Sequence, residues 1–431
     1  MTIHQGIAVR GFSSIDVPDA SIVASCVHCG LCLNECPTYR VLRVEMDSPR
    51  GRIQLVNAVQ EERLALDSPA FLKHTFQCLD CRGCETACPS GVKYGALIEA
   101  VRAQAVQADL LPTRRRFAQQ VLRTVFRRLK LLRLAAQGLK LYQRSGLQTV
   151  VRRLGVLQRV APALAAVEAM SPRVSDRFLQ ASDLSFVPAE GEVRHHVSFI
   201  TGCIMGVAFA DAHRASLRVL ARNGCEIRIP EQQGCCGALH VHGGDREAAR
   251  ELARRNIEAF EVHEDDAIII NSAGCGSTLK EYGELLADDP VYAARAEAFS
   301  ARVKDFSEYL HEIGPRTPTG AIAERVVYQD ACHLVHAQGI SQQPRDLLRA
   351  VPGTELVEME NSTICCGAAG LYSVTDTEIS LSILGERLDA LEATGATIVV
   401  SANPGCLLHI QTGAQRRGLN LRVMHVAEFL D

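Results

Sequence analysis

The chain has 431 residues with 46 basic and 49 acidic side chains, a balance that excludes a bulk nucleic-acid binder and a length that allows several independently cored domains. Seventeen cysteines stand out. The first twenty-five residues hold no apolar run of the secretory kind and no stretch of eighteen uncharged apolar residues occurs, so the expected setting is cytoplasmic, thiol-reducing and without a membrane span.

Near the start, "CVHCGLCLNECP" places Cys26, Cys29, Cys32 and Cys36 before Pro37, and "CLDCRGCETACP" places Cys78, Cys81, Cys84 and Cys88 before Pro89. Both runs have gaps of two, two and three residues, the spacing of bacterial two-cluster ferredoxins, in which the fourth cysteine of one run completes the cluster of the other. Three thiolates on a compact turn meet three irons of a cubane, and the fourth iron takes its ligand from elsewhere. The expected [4Fe–4S] ligand sets are therefore Cys26, Cys29, Cys32 and Cys88, and Cys36, Cys78, Cys81 and Cys84. Zinc, which favours two separated ligand pairs around one ion, fits this repeat poorly.

Between the runs, "DSPRGRI" and "DSPAFLK" each put serine and then proline before a helical pattern, predicting N-caps at Ser48 and Ser68. Ile53, Val56 and Val59 mark a helix face, and a further helix is expected over Val92–Ala108. Residues 110–167 then carry thirteen Lys or Arg and no Asp or Glu, with Phe117, Val121, Val125 and Leu129 recurring every fourth position. The favoured reading is a helix packed on the cluster domain with a solvated basic face. A surface for anionic lipid or an acidic partner is the alternative. Residues 173–192 read as a polar linker.

From residue 193 the sequence repeats. Cys203 returns as Cys332 after 129 residues, Cys235 and Cys236 return as Cys365 and Cys366 after 130, and Cys275 returns as Cys406 after 131. Each copy reads as strand, Cys loop, helix, strand, Cys-Cys-Gly loop, helix, strand, Cys loop, with helices at Asp245–Phe260 and Thr377–Ala393. That alternation predicts two parallel α/β units whose cysteine loops gather at the carboxyl edge of each sheet. The sets Cys203, Cys235, Cys236, Cys275 and Cys332, Cys365, Cys366, Cys406 suit an additional iron–sulfur or zinc centre, with a thiol/disulfide pair as the third option. Gly237 and Gly367 supply backbone freedom beside paired thiols. Cys225 reads as core, and His333, His336 and His409 as loop histidines.

The expected fold class is α + α/β: a helical two-cluster ferredoxin-like domain (1–108), a basic helical linker (109–192) and two repeated Cys-Cys-Gly domains (193–320 and 321–431). The wording "CVHCGLCLNECPTYRVL", "DSPRGRI" and "CLDCRGCETACPSGVKYG", followed by two Cys-Cys-Gly repeats, resembles the iron–sulfur subunit of bacterial glycolate oxidase (glycolate dehydrogenase). Proteins of the same layout serve lactate utilisation, anaerobic glycerol-3-phosphate dehydrogenase and heterodisulfide reductase. The resemblance implies a hetero-oligomer in which flavin-bearing partner subunits oxidise glycolate to glyoxylate, with electrons passing through this chain towards a membrane quinone or another acceptor. It also implies peripheral contact with the cytoplasmic face of the inner membrane. The chain departs from the heterodisulfide reductase pattern at Thr278 and His409, where a further cysteine would fall, which leaves the identity of the Cys-Cys-Gly centre open. No G-x-G-x-x-G after a strand, P-loop, G-x-S-x-G or H-E-x-x-H occurs, so no catalytic residue is assigned, and flavin and substrate oxidation are expected on the partners.

Overall fold

The structure, a computed structural model, describes residues 11–160, 168, 171–262 and 265–431. The readings of residues 1–10 as free of a leader and of 161–167 as part of the basic stretch lie outside them.

The N-terminal region is helical. Helix α1 (Pro49–Gln60) starts where Ser48 Oγ accepts the Gly51 amide at 3.0 Å, with Pro49 at the first helical position. Its inward face is Ile53, Val56 and Val59, each stabilising the fold by about 1.5–3 kcal/mol through burial. Helix α2 (Pro69–Phe76) has the same Ser-Pro start, yet the Ser68 side chain makes no cap bond; proline's fixed φ begins that helix by itself. Helix α3 (Tyr94–Gln107) is buried along most of its length, because the α/β copies cover the side that the cluster domain leaves open.

The basic stretch forms α4 (Thr113–Val121), a π-helical turn (Leu122–Phe126), α5 (Leu129–Arg144) and α6 (Leu147–Leu154). The wide turn shifts the helical phase, so the every-fourth-residue line does not form one buried face: Phe117 is 71 % exposed, while Leu122 takes the buried position. The expected solvated basic face is present in part, with Arg116, Arg123, Arg128 and Lys130 exposed, but several of its arginines are also tied to acidic residues. Arg115 pairs with Asp376 and Arg127 with Glu251; Arg123 reaches Asp245 at 2.7 Å and Arg133 reaches Asp183 at 2.7 Å. Asp245 and Asp376 are equivalent residues of the two copies, so two arginines eight positions apart strap both to one helical run. Residues 173–192 are likewise not a free linker. Leu179 N donates to Gly206 O at 2.9 Å, and strand β1 (Phe186–Val187) adds an antiparallel edge to the first sheet, since apolar Val174, Leu179 and Ala181 bury themselves there.

The first copy runs β2 (His195–Phe199), α7 (Ala210–Arg222), β3 (Cys225–Arg228), α8 (Arg246–Phe260), β4 (Ala267–Ile270), α9 (Ala273–Lys280), β5 (Val303–Asp305) and α10 (Phe306–Glu312). The second runs β6 (Arg325–Tyr328), α11 (Gln342–Arg349), β7 (Glu355–Val357), α12 (Thr377–Ala393), β8 (Ile398–Ser401), α13 (Pro404–Arg417), β9 (Arg422–His425) and α14 (Val426–Leu430). Sheet order is β1-β3-β2-β4-β5 and β7-β6-β8-β9, parallel throughout except at β1. The central strands β4 and β8 are buried at every residue, as a sheet covered on both faces requires.

The copies exchange their last helices. Helix α10 of the first packs on α11 of the second, and α14 of the second packs on α7 of the first. Both exchanged helices start with a capping box, Asp305 with Glu308 and His425 with Glu428. Ion pairs seal both seams: His311 with Asp346 at 3.3 Å, and Arg222 with Asp431 at 3.1 Å.

Candidate metal centres

The two N-terminal runs fold alike. In the first, His28 and Gly30 have left-handed backbone at φ 55° and 86°; in the second, Asp80 and Arg82 occupy the matching positions at φ 56° and 60°. Three of these four are not glycine, a strain that persists only where the surroundings over-determine it. The alternation curls each run around its own thiols. Asp80 N donates to Cys78 Sγ at 3.3 Å and Tyr94 Oη to the same sulfur at 3.8 Å. All described cysteines are free thiols.

Cys26, Cys29, Cys32 and Cys88 line one cleft with Pro49 and Arg50, and Cys84 stands on its wall. Cys36 is buried beneath, its Sγ 3.2 Å from Thr38 Oγ1 and 3.6 Å from Asp47 O. Burial pushes the Cys81 and Cys84 thiols well above the usual 9.0, and nearby Cys36 and Cys78 push both further. Cys36 of the first run thus acts on Cys81 and Cys84 of the second. Beneath them Arg52, 2 % exposed, donates to His74 O at 2.7 Å and Thr38 Oγ1 at 3.2 Å and faces Asp47 at 3.3 Å.

In the first α/β copy the four sequence-predicted thiols converge at the carboxyl ends of the strands. Cys235 Sγ lies 3.5 Å from Cys203 Sγ, and Cys235 and Cys275 together push the Cys236 thiol well above its ordinary pKa. In the second, Cys332 Sγ lies 3.9 Å from Cys365 Sγ, and Asn403 Nδ2 donates to Cys406 Sγ at 3.5 Å. Hydrogen bonds from neighbouring thiols pull one sulfur of each set, Cys235 and Cys366, well below its ordinary pKa. Gly237 and Gly367 have φ of 87° and 93°, and a Cβ on Gly367 would stand 2.7 Å from Ser380 O. Cys225 is fully buried in β3, where loss of solvent pushes its thiol up to about 12; it belongs to the core.

The second copy docks on the second cysteine run. His333 Nε2 donates to the carbonyl of Asp80 at 2.8 Å, and its Nδ1 is 2.9 Å from Ser277 Oγ. His336 lies 2.8 Å from Thr86 Oγ1 and donates to Thr363 O at 3.0 Å. Cys332 packs in the same apolar cluster as Cys81. His409 bonds to Ser380 Oγ at 3.2 Å. His333 and His336 therefore join domains, a role their sequence position does not disclose, whereas His409 lies within helix α13, not a loop, and stays inside its own copy.

A buried polar network that the sequence gives no sign of lies behind this junction. His242 Nδ1 is 3.2 Å from Asp80 Oδ2 and 3.0 Å from Glu99 Oε1. The two carboxylates outweigh burial and raise His242 to about 10. Asp80, Glu99 and His242 could together ligate a cation. Arg82, 3.4 Å from Glu99, and Arg102, 3.7 Å from Asp80, already supply two positive charges, so the group is an ion-pair network.

Soft thiols in fours, amide and hydroxyl donors aimed at sulfur, and free cysteines throughout fit iron–sulfur clusters in the N-terminal runs. These features define an iron–sulfur protein with a dicluster domain and two cysteine-rich α/β copies. Comparison with known proteins agrees: residues 22–92 match the 4Fe-4S dicluster domain, residues 113–171 the linker region of the glycolate oxidase iron–sulfur subunit, and residues 197–280 and 326–411 the cysteine-rich domain. The chain is 40 % identical over 424 residues to the probable glycolate oxidase iron–sulfur subunit of Bacillus subtilis, covering 96 % of this chain and 94 % of that one. It is 31 % identical to the glycolate oxidase iron–sulfur subunit of Escherichia coli, over 92 % and 91 % of the two chains. Lactate utilization protein A of Halalkalibacterium halodurans is 34 % identical over 54 % of this chain and 96 % of its own. The chain belongs to the family of glycolate oxidase iron–sulfur subunits, and iron–sulfur clusters are its cofactors.

Proposed function

We propose that the chain is the electron-transfer subunit of a flavin-dependent 2-hydroxyacid dehydrogenase, with glycolate, oxidised to glyoxylate, as the first substrate to test. One [4Fe–4S] cluster takes Cys26, Cys29, Cys32 and Cys88 as ligands, the other Cys36, Cys78, Cys81 and Cys84. When bound, these clusters accept and release single electrons. The observation that carries this reading is the cleft gathering three thiols of the first run and the last thiol of the second. Substrate oxidation needs a hydride acceptor, assigned here to a partner flavoprotein, with a quinone or another acceptor downstream. The Cys-Cys-Gly sets hold a further redox metal centre in each copy, and the working boundaries are 1–108, 109–192, 193–320 and 321–431.

Peripheral seating on the cytoplasmic face of the inner membrane belongs to the same reading. Leu134, Leu141, Leu147, Val150 and Leu154 stand exposed on α5 and α6, and no helix among the described residues is long and apolar enough to cross a membrane. Lactate is the second substrate, favoured by the match to lactate utilization protein A. The test is anaerobic purification of the chain with and without co-purifying proteins, followed by a dye-linked assay with glycolate and lactate. Turnover that appears only with a flavoprotein partner supports the proposal; full turnover by the chain alone overturns it.

A further inference from the structure

Five arginines are buried among the described residues: Arg52, Arg82, Arg102, Arg345 and Arg387. Four sit within ion-pair distance of a carboxylate: Arg52 with Asp47, Arg82 with Glu99 and Glu281, Arg102 with Asp80, and Arg345 with Asp330. Arg387 has no such partner among the described residues. It is 4 % exposed; its guanidinium donates to the carbonyls of Asn361 at 2.8 Å and Ile364 at 2.5 Å, and its Nε has no partner. It thereby holds the carbonyl that precedes Cys365 and Cys366, and the sulfurs of Cys366, Cys365 and Cys406 are the groups that, once ionised, act on it most strongly. Asp330 lies behind them, already engaged by Arg345 at 2.7 Å.

The first copy handles the same position differently. Asn256 stands 131 residues before Arg387, the offset that separates Cys275 from Cys406. It reads the same loop, accepting from Gly234 N at 2.8 Å and donating to Cys235 O at 3.0 Å. Its amide also reaches Tyr282 Oη at 2.9 Å, which in turn donates to Cys236 O at 2.8 Å; Gly413 occupies the place of Tyr282 in the second copy. His240, which follows the first Cys-Cys-Gly loop, is tied to Asp245 at 3.1 Å, which itself pairs with Arg123. One loop is thus pinned by a neutral amide and phenol, the other by a permanent cation without a carboxylate.

An isolated buried guanidinium is expensive unless an anion neutralises it, and the anion this fold offers is the sulfur set of the second copy. We propose that Arg387 is the charge-compensating residue of the Cys332, Cys365, Cys366, Cys406 centre and makes that centre easier to reduce than its counterpart in the first copy. The inference rests on the reading that these cysteines hold a redox metal centre. A cation beside the centre favours its more negative, reduced form.

The test uses the full chain, prepared anaerobically, with iron and sulfide analysis and a redox titration followed by electron paramagnetic resonance. Cys406→Ser and Cys275→Ser identify the signals of the second and first copies. Arg387→Gln keeps donors for the two carbonyls and removes the charge. The expected result is either loss of metal from the second copy or a fall of about tenfold in its reduction equilibrium, about 59 mV for one electron. Arg387→Lys restores metal and potential, and the N-terminal signals do not move. An unchanged second-copy potential in Arg387→Gln overturns the proposal, because pinning of the loop by hydrogen bonds alone would leave it so. Should Arg387→Gln not fold, the unmutated chain decides: a second-copy midpoint below that of the first copy overturns it. A second copy without a redox-active metal also overturns it while leaving the electron-transfer reading intact. That reading fails separately, if the N-terminal clusters themselves cannot be reduced.

Discussion

The N-terminal domain and the paired α/β copies solve one problem, bringing four sulfurs together, in opposite ways. Under the proposed ligation three of the four in the N-terminal domain come from a single turn, where left-handed residues such as His28 and Asp80 bend the chain. In each copy they come from three loops spread along the sequence, and the parallel sheet carries them to one edge. A local set is held by backbone strain and by one long-range ligand. A topological set is held by the whole fold, so its surroundings can diverge while the sulfurs stay, as Asn256 and Arg387 have.

This contrast can be broken most severely at Cys36. Under the proposed ligation, Cys36→Ser removes about four irons with their sulfide from the site of Cys78, Cys81 and Cys84 and spares the site nearer Cys36 in sequence. Iron analysis with spectroscopy of the anaerobic chain checks it; loss of the nearer cluster instead would falsify the crossed assignment. Next comes Arg52→Met, which removes the guanidinium from buried Asp47 and leaves it only His74, 2.8 Å away. A loss of about 3–5 kcal/mol is expected, read from denaturant unfolding, and it should strike the N-terminal domain first.

A pH titration sharpens the comparison from the other side. Burial lowers His213 and His425, at the seam between the copies, from 6.5 to about 4. The unfolded chain therefore takes up these protons first as pH falls, and stability is lost between about 6.5 and 4. His213→Gln should flatten that slope in a thermal-midpoint series, and an equally steep slope would show that other groups set it. The smallest effect belongs to the straps. Arg123 is 43 % exposed at its side chain, so Arg123→Ala is expected to cost about 1 kcal/mol, and Arg115→Ala, whose ion pair is more enclosed, somewhat more.

Much of this architecture was legible because its signals are short-range or periodic. Ser48 and Pro49 announce a helix start, the apolar runs at Ala267–Ile270 and Ile398–Ser401 announce buried strands, and Thr377–Ala393 forms as expected. What stayed hidden depends on partners distant in the chain. Arg115, Arg123 and Arg127 are paired because acidic residues more than a hundred positions away come round to meet them, and charge composition cannot show that. The π-helical turn at Leu122–Phe126 left no mark in the spacing. His333 and His336 looked like ordinary loop residues because Asp80 and Thr86, which they hold, lie some 250 positions earlier. The paired capping boxes at Asp305 and His425 were readable as D-x-x-E and H-x-x-E before apolar pairs, although their offset of 120 differs from that of the cysteines.

The traded terminal helices carry a consequence for synthesis and handling. While the ribosome is still making the second copy, the face of α7 that α14 covers stays bare until residues 426–430 emerge, although β3 already packs on the helix. Replacing Asp431, which Arg218 and Arg222 grip, would accordingly disturb the older half of the pair before it troubled the younger one.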